Sequence, residues 1–169
     1  MSRGAPTFAD LRDPAVLLAT GFGSGLLKPA PGTWGSLAGL VIWWLLLAPL
    51  SPVKQALIVV AVVVLGLLAT RRCERRYGWH DPGAIVIDEF TGLWVALLGF
   101  GPQAGWAIAG FLLFRLFDIA KPWPVSWADR QVPGAWGVML DDLLAGSYAA
   151  IVLQFAFWLA LFYAPALLA

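Results

Sequence analysis

Four windows of this chain contain no Asp, Glu, Lys or Arg: residues 29–53, 55–70, 90–114 and 143–169, together 93 of its 169 residues. A helix rises 1.5 Å per residue, so about 20 residues cross a hydrocarbon layer roughly 30 Å thick. Charge-free windows of 25, 16, 25 and 27 residues are on that scale. Only 12% of the residues are charged and 60% are hydrophobic, whereas soluble domains carry about 25% charged residues. A single domain of this length cannot hide so much apolar surface in its own core, which excludes a free soluble globule. The net charge of +1 excludes a nucleic-acid binder that draws its affinity from a surplus of Lys and Arg. With 10 Trp and 10 Phe, intrinsic disorder is excluded as well.

The expected fold is all-α: one domain, residues 1–169, forming a polytopic integral membrane helical bundle of about five transmembrane helices. In the first window Pro29, Pro31 and Gly32 spoil the start, so a helix is expected over residues 35–50, stopped by Pro49 and Pro52. The second window is short, but Lys54 and Arg71 flank it and can reach the two interfaces. Gly99-Phe100-Gly101-Pro102 breaks the third window into a hairpin of residues 85–100 and 103–118, which returns Asp88-Glu89 and Asp118 to one side. The fourth window suffices alone. Basic residues collect on the cytoplasmic side. Arg3, Arg12, Lys28, the arginines at 71, 72, 75 and 76, and Arg115, Lys121 and Arg130 therefore place the N-terminus inside and the C-terminus outside. The N-terminus lacks the pattern of a cleaved signal peptide, so the first helix is expected to serve as an uncleaved anchor.

Two acidic pairs interrupt apolar runs: Asp88-Glu89 between Ile87 and Phe90, and Asp141-Asp142 between Leu140 and Leu143. A carboxylate at membrane depth costs at least a few kcal/mol. Acids in a first helical turn would gain from the helix dipole, but two such pairs, with Asp118 as a third element, point to a divalent cation held by hard oxygen ligands. On a helix, Arg115, Asp118 and Lys121 are successive i, i+3 neighbours sharing a face. Asp118 could bind metal or move a proton while Arg115 and Lys121 hold a phosphate. The stretch through Pro31, Gly32 and Thr33 is either a backbone nest for an anion or a re-entrant turn. His80, before Asp81-Pro82, is either structural or an acid/base. Gly21-Phe22-Gly23-Ser24-Gly25 lacks the spacing of a dinucleotide loop. The single Cys73, among arginines, reads as an incidental thiol on a reduced surface. Pro31-Gly32-Thr33-Trp34-Gly35 echoes Pro133-Gly134-Ala135-Trp136-Gly137, each read as an interfacial Trp after a turn.

Four blocks together resemble the phosphatidylglycerophosphatase A family: Gly32-Thr33-x-Gly35-Ser36; His80-Asp81 with Ile85-Val86-x-Asp88-Glu89-x-x-Gly92; Phe114-Arg115-x-Phe117-Asp118-Ile119-x-Lys121-Pro122-x-Pro124; and Gly137-Val138-Met139-x-Asp141-Asp142-x-x-Ala145-Gly146. The resemblance covers residues 21–146. It implies an integral enzyme of the bacterial inner membrane that hydrolyses phosphatidylglycerol phosphate to phosphatidylglycerol and phosphate with Mg²⁺, its site at the cytoplasmic face among membrane lipids. The expected metal ligands are Asp88 or Glu89, Asp118, and Asp141 or Asp142. Arg115 and Lys121 would stabilise the transition state, with Thr33 and His80 also at the substrate. The competing class is a non-enzymatic membrane protein, a small transporter or assembly factor whose buried acids bind cations or relay protons.

Overall fold

The computed structural model describes residues 4–79 and 83–163, and every regular element among them is helical. A 3₁₀ turn at Phe8–Arg12 leads into α1 (Pro14–Ala19). Next come α2 (Pro31–Ile42), continued by a π-helical turn at Trp43–Leu47, then α3 (Pro52–Tyr77) and α4 (Ile87–Ala96). The last three are α5 (Ala104–Ala120), α6 (Val125–Gln131) and α7 (Gly134–Tyr163).

Prolines start helices here as well as ending them. Pro14, Pro31 and Pro52 each occupy the first position of a helix, where a missing N–H costs nothing and the ring presets φ. That is why α2 begins at Pro31, four residues before the expected start at Gly35. Helix α3 outruns its charge-free window, because Arg and Glu are good helix formers, and stops at Gly78 in the left-handed conformation, φ 68°. With 26 and 30 residues, α3 and α7 are long and apolar enough to cross a membrane. Their outer faces are apolar: Leu57, Val60, Val64 and Leu68 on α3, and Ile151, Phe155, Trp158 and Phe162 on α7, are exposed. This inverts the pattern of a soluble surface helix. Trp34 and Trp136 are also exposed, each in the first turn of its helix.

Helices α4 and α5 form the expected hairpin, but with unequal arms. The first is a 10-residue helix, about 15 Å long at the standard rise, in place of the expected 16-residue arm. Ahead of it, Ala84–Val86 run without helical structure and are buried. The Val86 N–H donates to the Ala19 carbonyl at 2.9 Å, so it is committed to another segment. The glycine-rich turn after α1 permits this approach: a Cβ on Gly25 would lie 2.2 Å from the Ala84 oxygen, and one on Gly21 2.7 Å from the Phe90 ring. Helix α4 is consequently central, with Ile87, Phe90, Leu93 and Trp94 almost wholly buried.

The bundle has two different ends. At one, Gln55 ties three turns together. Its amide nitrogen lies 3.1–3.3 Å from the carbonyls of Leu47, Leu50 and Phe100, and its oxygen accepts from the Gly99 N–H at 2.8 Å. Gln55→Leu strands these groups and is expected to cost at least about 2 kcal/mol, since each buried group left unpaired costs roughly 1–3 kcal/mol. The check is a lowered unfolding temperature in detergent with helical content retained below it. At the other end, Asp13 caps α1 through the Ala15 N–H and accepts from the Tyr77 hydroxyl at 2.9 Å and Arg76 at 3.0 Å. The Ala15 hydrogen bond, Tyr77, Arg72 and Arg76 together hold its carboxyl below the usual range, against the opposing effect of burial. Cys73 is fully buried in this region, not on the surface as expected. It occupies the face of α3 turned towards the interior, where a small apolar side chain packs well.

Candidate active site

The carboxylates converge because two glycines let their helices touch. At the α4–α7 crossing a Cβ on Gly146 would sit 2.1 Å from the Gly92 oxygen, and one on Gly92 2.6 Å from the Asp142 oxygen. One turn towards the N-terminus on each helix stand Asp88 and Asp142, so close backbone approach at the glycines brings these acids together. The start of α2 closes the third side, where a Cβ on Gly32 would lie 2.4 Å from Glu89 Oε1. The outcome is a trio: Asp88, Glu89 and Asp142 each offer a carboxylate oxygen, all within 4.8 Å of one another.

Asp88 and Glu89 lie in the first turn of α4, where the helix dipole favours them. That explanation fails for Asp141 and Asp142, which stand well inside α7, beyond its first turn. Glu89 Oε2 and Asp142 Oδ2 are buried without a hydrogen-bond partner. Buried carboxylate oxygens without donors are what a hard divalent cation binds. The donor set therefore fits the cation that the acidic pairs imply.

A cavity of about 310 Å³ opens over the trio, walled also by Glu74, Asp118, Lys121, Asp129 and Asp141. Lys121 does not continue the face of Arg115 and Asp118, as helical spacing predicts. It caps α5 in the left-handed conformation, φ 44°, its N–H bonded to the Phe117 carbonyl. Pro122 has no N–H with which to continue the helix. The side chain instead crosses to α7 and α6, donating to Asp141 Oδ2 at 2.8 Å and to Asp129. Burial works against its charge, but these hydrogen bonds and the two carboxylate charges prevail and hold its pKa above the ordinary lysine value. Arg115 lies behind the cavity wall, paired with Asp118 at 2.6 Å and reaching Ser36 Oγ at 3.4 Å.

Six of the expected site residues thus surround one cavity: Asp88, Glu89, Asp118, Lys121, Asp141 and Asp142. Arg115 and Thr33 do not line it; Thr33 is half-buried in the first turn of α2. His80 lies outside the described residues. Asp129 and Glu74 were not anticipated. Asp129 belongs to α6, a helix the prolines on either side concealed, and Glu74 is embedded in a run of arginines.

Comparison with known proteins decides the family. The family model for phosphatidylglycerophosphatase A matches residues 17–157, which include every residue of the cavity wall. The chain belongs to the phosphatidylglycerophosphatase A family. A phosphatidylglycerophosphatase A of Haemophilus influenzae is 46% identical over 144 residues, 84% of this chain and 88% of the relative. That of Escherichia coli is 41% identical over 146 residues, 86% of this chain and 84% of the relative. A Bacteroides thetaiotaomicron protein, provisionally named a phosphatidylinositol-3-phosphatase, is 41% identical over 150 residues, 85% of this chain and 93% of the relative. No solved structure matches. As a member of the phosphatidylglycerophosphatase A family the chain is a phosphatase.

Proposed function

We propose that this chain hydrolyses phosphatidylglycerol phosphate to phosphatidylglycerol and inorganic phosphate, with Mg²⁺, at the cytoplasmic face of a bacterial inner membrane. The observation that carries the reading is the buried trio Asp88, Glu89 and Asp142, with two carboxylate oxygens lacking any donor, beneath a cavity that also holds a cation, Lys121. Helices α2, α3, α4, α5 and α7 are the five membrane-embedded elements, with α4 reaching only about half-way at the standard rise. The acyl chains stay in lipid while the phosphate enters the cavity.

Asp88, Glu89 and Asp142 would hold the ion. When bound, it would neutralise charge on the phosphoryl oxygens and lower the pKa of a coordinated water. Lys121, held between Asp129 and Asp141, presents its ammonium to the phosphate. Asp118, paired with Arg115 and exposed to the cavity, accepts the proton from the attacking water and returns it to the glycerol oxygen as the P–O ester bond breaks. A covalent aspartyl-phosphate is the mechanistic competitor. Acid quenching during turnover decides between them: direct attack predicts no protein-bound phosphate, whereas a hydroxylamine-labile phosphoenzyme contradicts it.

The test of function is phosphate release from phosphatidylglycerol phosphate in mixed micelles. Turnover is expected to vanish with EDTA and return on adding excess Mg²⁺; full turnover in EDTA would defeat the metal assignment. Asp129→Asn loosens one of the two anchors of Lys121. It is expected to raise KM roughly tenfold, the worth of one charge-assisted hydrogen bond, with a smaller change in kcat. Recovery by Asp129→Glu would separate positioning from general damage to the fold.

A further inference from the structure

Arg71, Arg72, Arg75 and Arg76 crowd the last two turns of α3, and none of them lines the carboxylate cavity. They divide by partner. Asp13 takes two, with Arg72 Nε at 3.7 Å and Arg76 at 3.0 Å. Arg71 lies over the Trp136 ring, 5.4 Å from its centroid, and Arg75 is exposed. Neither Arg71 nor Arg75 forms an ion pair among the described residues.

These two guanidinium groups end a continuous line. Eighteen residues make five helical turns, so Leu57 and Arg75 share one angular position. Val64, Leu68 and Arg71 fall within roughly 40° of it at 100° per residue, with Val60 and Arg72 at roughly 60° on its two flanks. The four aliphatic members are 50–66% exposed. An outward apolar stripe the length of an acyl chain thus terminates in two unpaired positive charges. A cavity of about 560 Å³ lies among Leu68 and the four arginines. Cytoplasmic bias of basic residues accounts for arginines at this end of α3. It does not account for Arg71 and Arg75, nearest the axis of the stripe, being left without a carboxylate while Arg72 and Arg76, on one flank of it, are neutralised by Asp13.

The geometry points to a second lipid site, in which an anionic phospholipid lies along α3 with an acyl chain on the stripe and its headgroup phosphate between Arg71 and Arg75. Guanidinium forks match phosphate oxygens bidentately. The surplus positive charge favours anionic headgroups over those carrying a quaternary amine. Trp136, stacked under Arg71, fixes the height of the site at the interface.

The probe is dioctanoylphosphatidylserine, anionic but neither substrate nor product of the reaction proposed above, titrated onto the intact protein in detergent and read by native mass spectrometry. Dioctanoylphosphatidylcholine and inorganic phosphate are the comparison arms. Saturable binding of the serine lipid is expected, with the choline lipid binding at least tenfold more weakly. Arg71→Gln/Arg75→Gln is expected to weaken binding of the serine lipid roughly thirtyfold, from two basic residues at an anionic headgroup. Arg71→Lys/Arg75→Lys should recover only part of that loss, because it restores the charges without the bidentate fork. Unchanged binding by the glutamine variant, equal binding of the choline lipid, or displacement of the serine lipid by equimolar phosphate would each overturn the proposal. Hydrolysis of saturating phosphatidylglycerol phosphate, measured in the same preparations, is expected to be unaltered, so failure of this site and failure of the phosphatase reading remain distinguishable.

Discussion

Asp142→Asn is expected to lower kcat by more than about a hundredfold while making the metal-free protein more resistant to heat. Losing an outer-shell partner of a metal site costs 10–100-fold, so loss of a direct ligand should cost more. The gain in stability has a separate cause. Asp142 is 4% exposed and its Oδ2 has no donor; with no cation present, an unpaired carboxylate there is a liability that a neutral amide of the same shape relieves. Opposite signs for activity and metal-free stability distinguish a ligand from a structural acid, whose replacement lowers both. Asp141→Asn should behave differently. Its oxygen is already satisfied by Lys121 at 2.8 Å, so it should lose activity through Lys121 and gain no stability. Activity in EDTA and thermal unfolding with and without Mg²⁺ decide the matter.

Gly146→Ala is expected to remove nearly all activity without touching a charged group. The new methyl would lie 2.1 Å from a backbone oxygen of α4, and backbone cannot swing aside as a side chain can. The two helices must part, at a stability cost of about 1–3 kcal/mol as in other overpacked interiors. Asp88 and Asp142 stand one turn away on the same helices, so they separate with the glycines. A misplacement of about 1 Å in catalytic geometry can cost on the order of a hundredfold. Gly105→Ala, on α5 with nothing within 4 Å of the added carbon, is the control and should be neutral. Comparable activity for the two variants would show that the crossing does not set the site.

Much of this architecture follows from rules that need no tertiary information. Charge-free windows measured against bilayer thickness mark the long apolar helices, and Gly99-Phe100-Gly101-Pro102 forces the hairpin that puts Asp88 and Asp118 at one end. The identities of six cavity residues follow from the cost of carboxylates inside apolar runs and from the family resemblance. The pairing is another matter. Asp88 and Asp142 face one another because Gly92 meets Gly146, a register set between positions 54 residues apart in the chain. Lys121 leaves the face of Arg115 because its backbone turns left-handed at the end of α5, and i, i+3 spacing assumes the helix continues. Helix α6, and with it Asp129, is hidden because a seven-residue helix between prolines owes its stability to packing rather than to local propensity. The length of α4 depends on Val86 giving its N–H to Ala19, a partner 67 positions away.

The most direct measurement is a Mn²⁺ titration of the purified, detergent-solubilised protein followed by electron paramagnetic resonance, with manganese standing in for magnesium. Convergence of Asp88, Glu89 and Asp142 on one ion predicts a saturable site whose affinity falls by more than about a hundredfold in each of Asp88→Asn and Asp142→Asn, two substitutions on different helices with the same effect. Wild-type manganese affinity in either variant would contradict it.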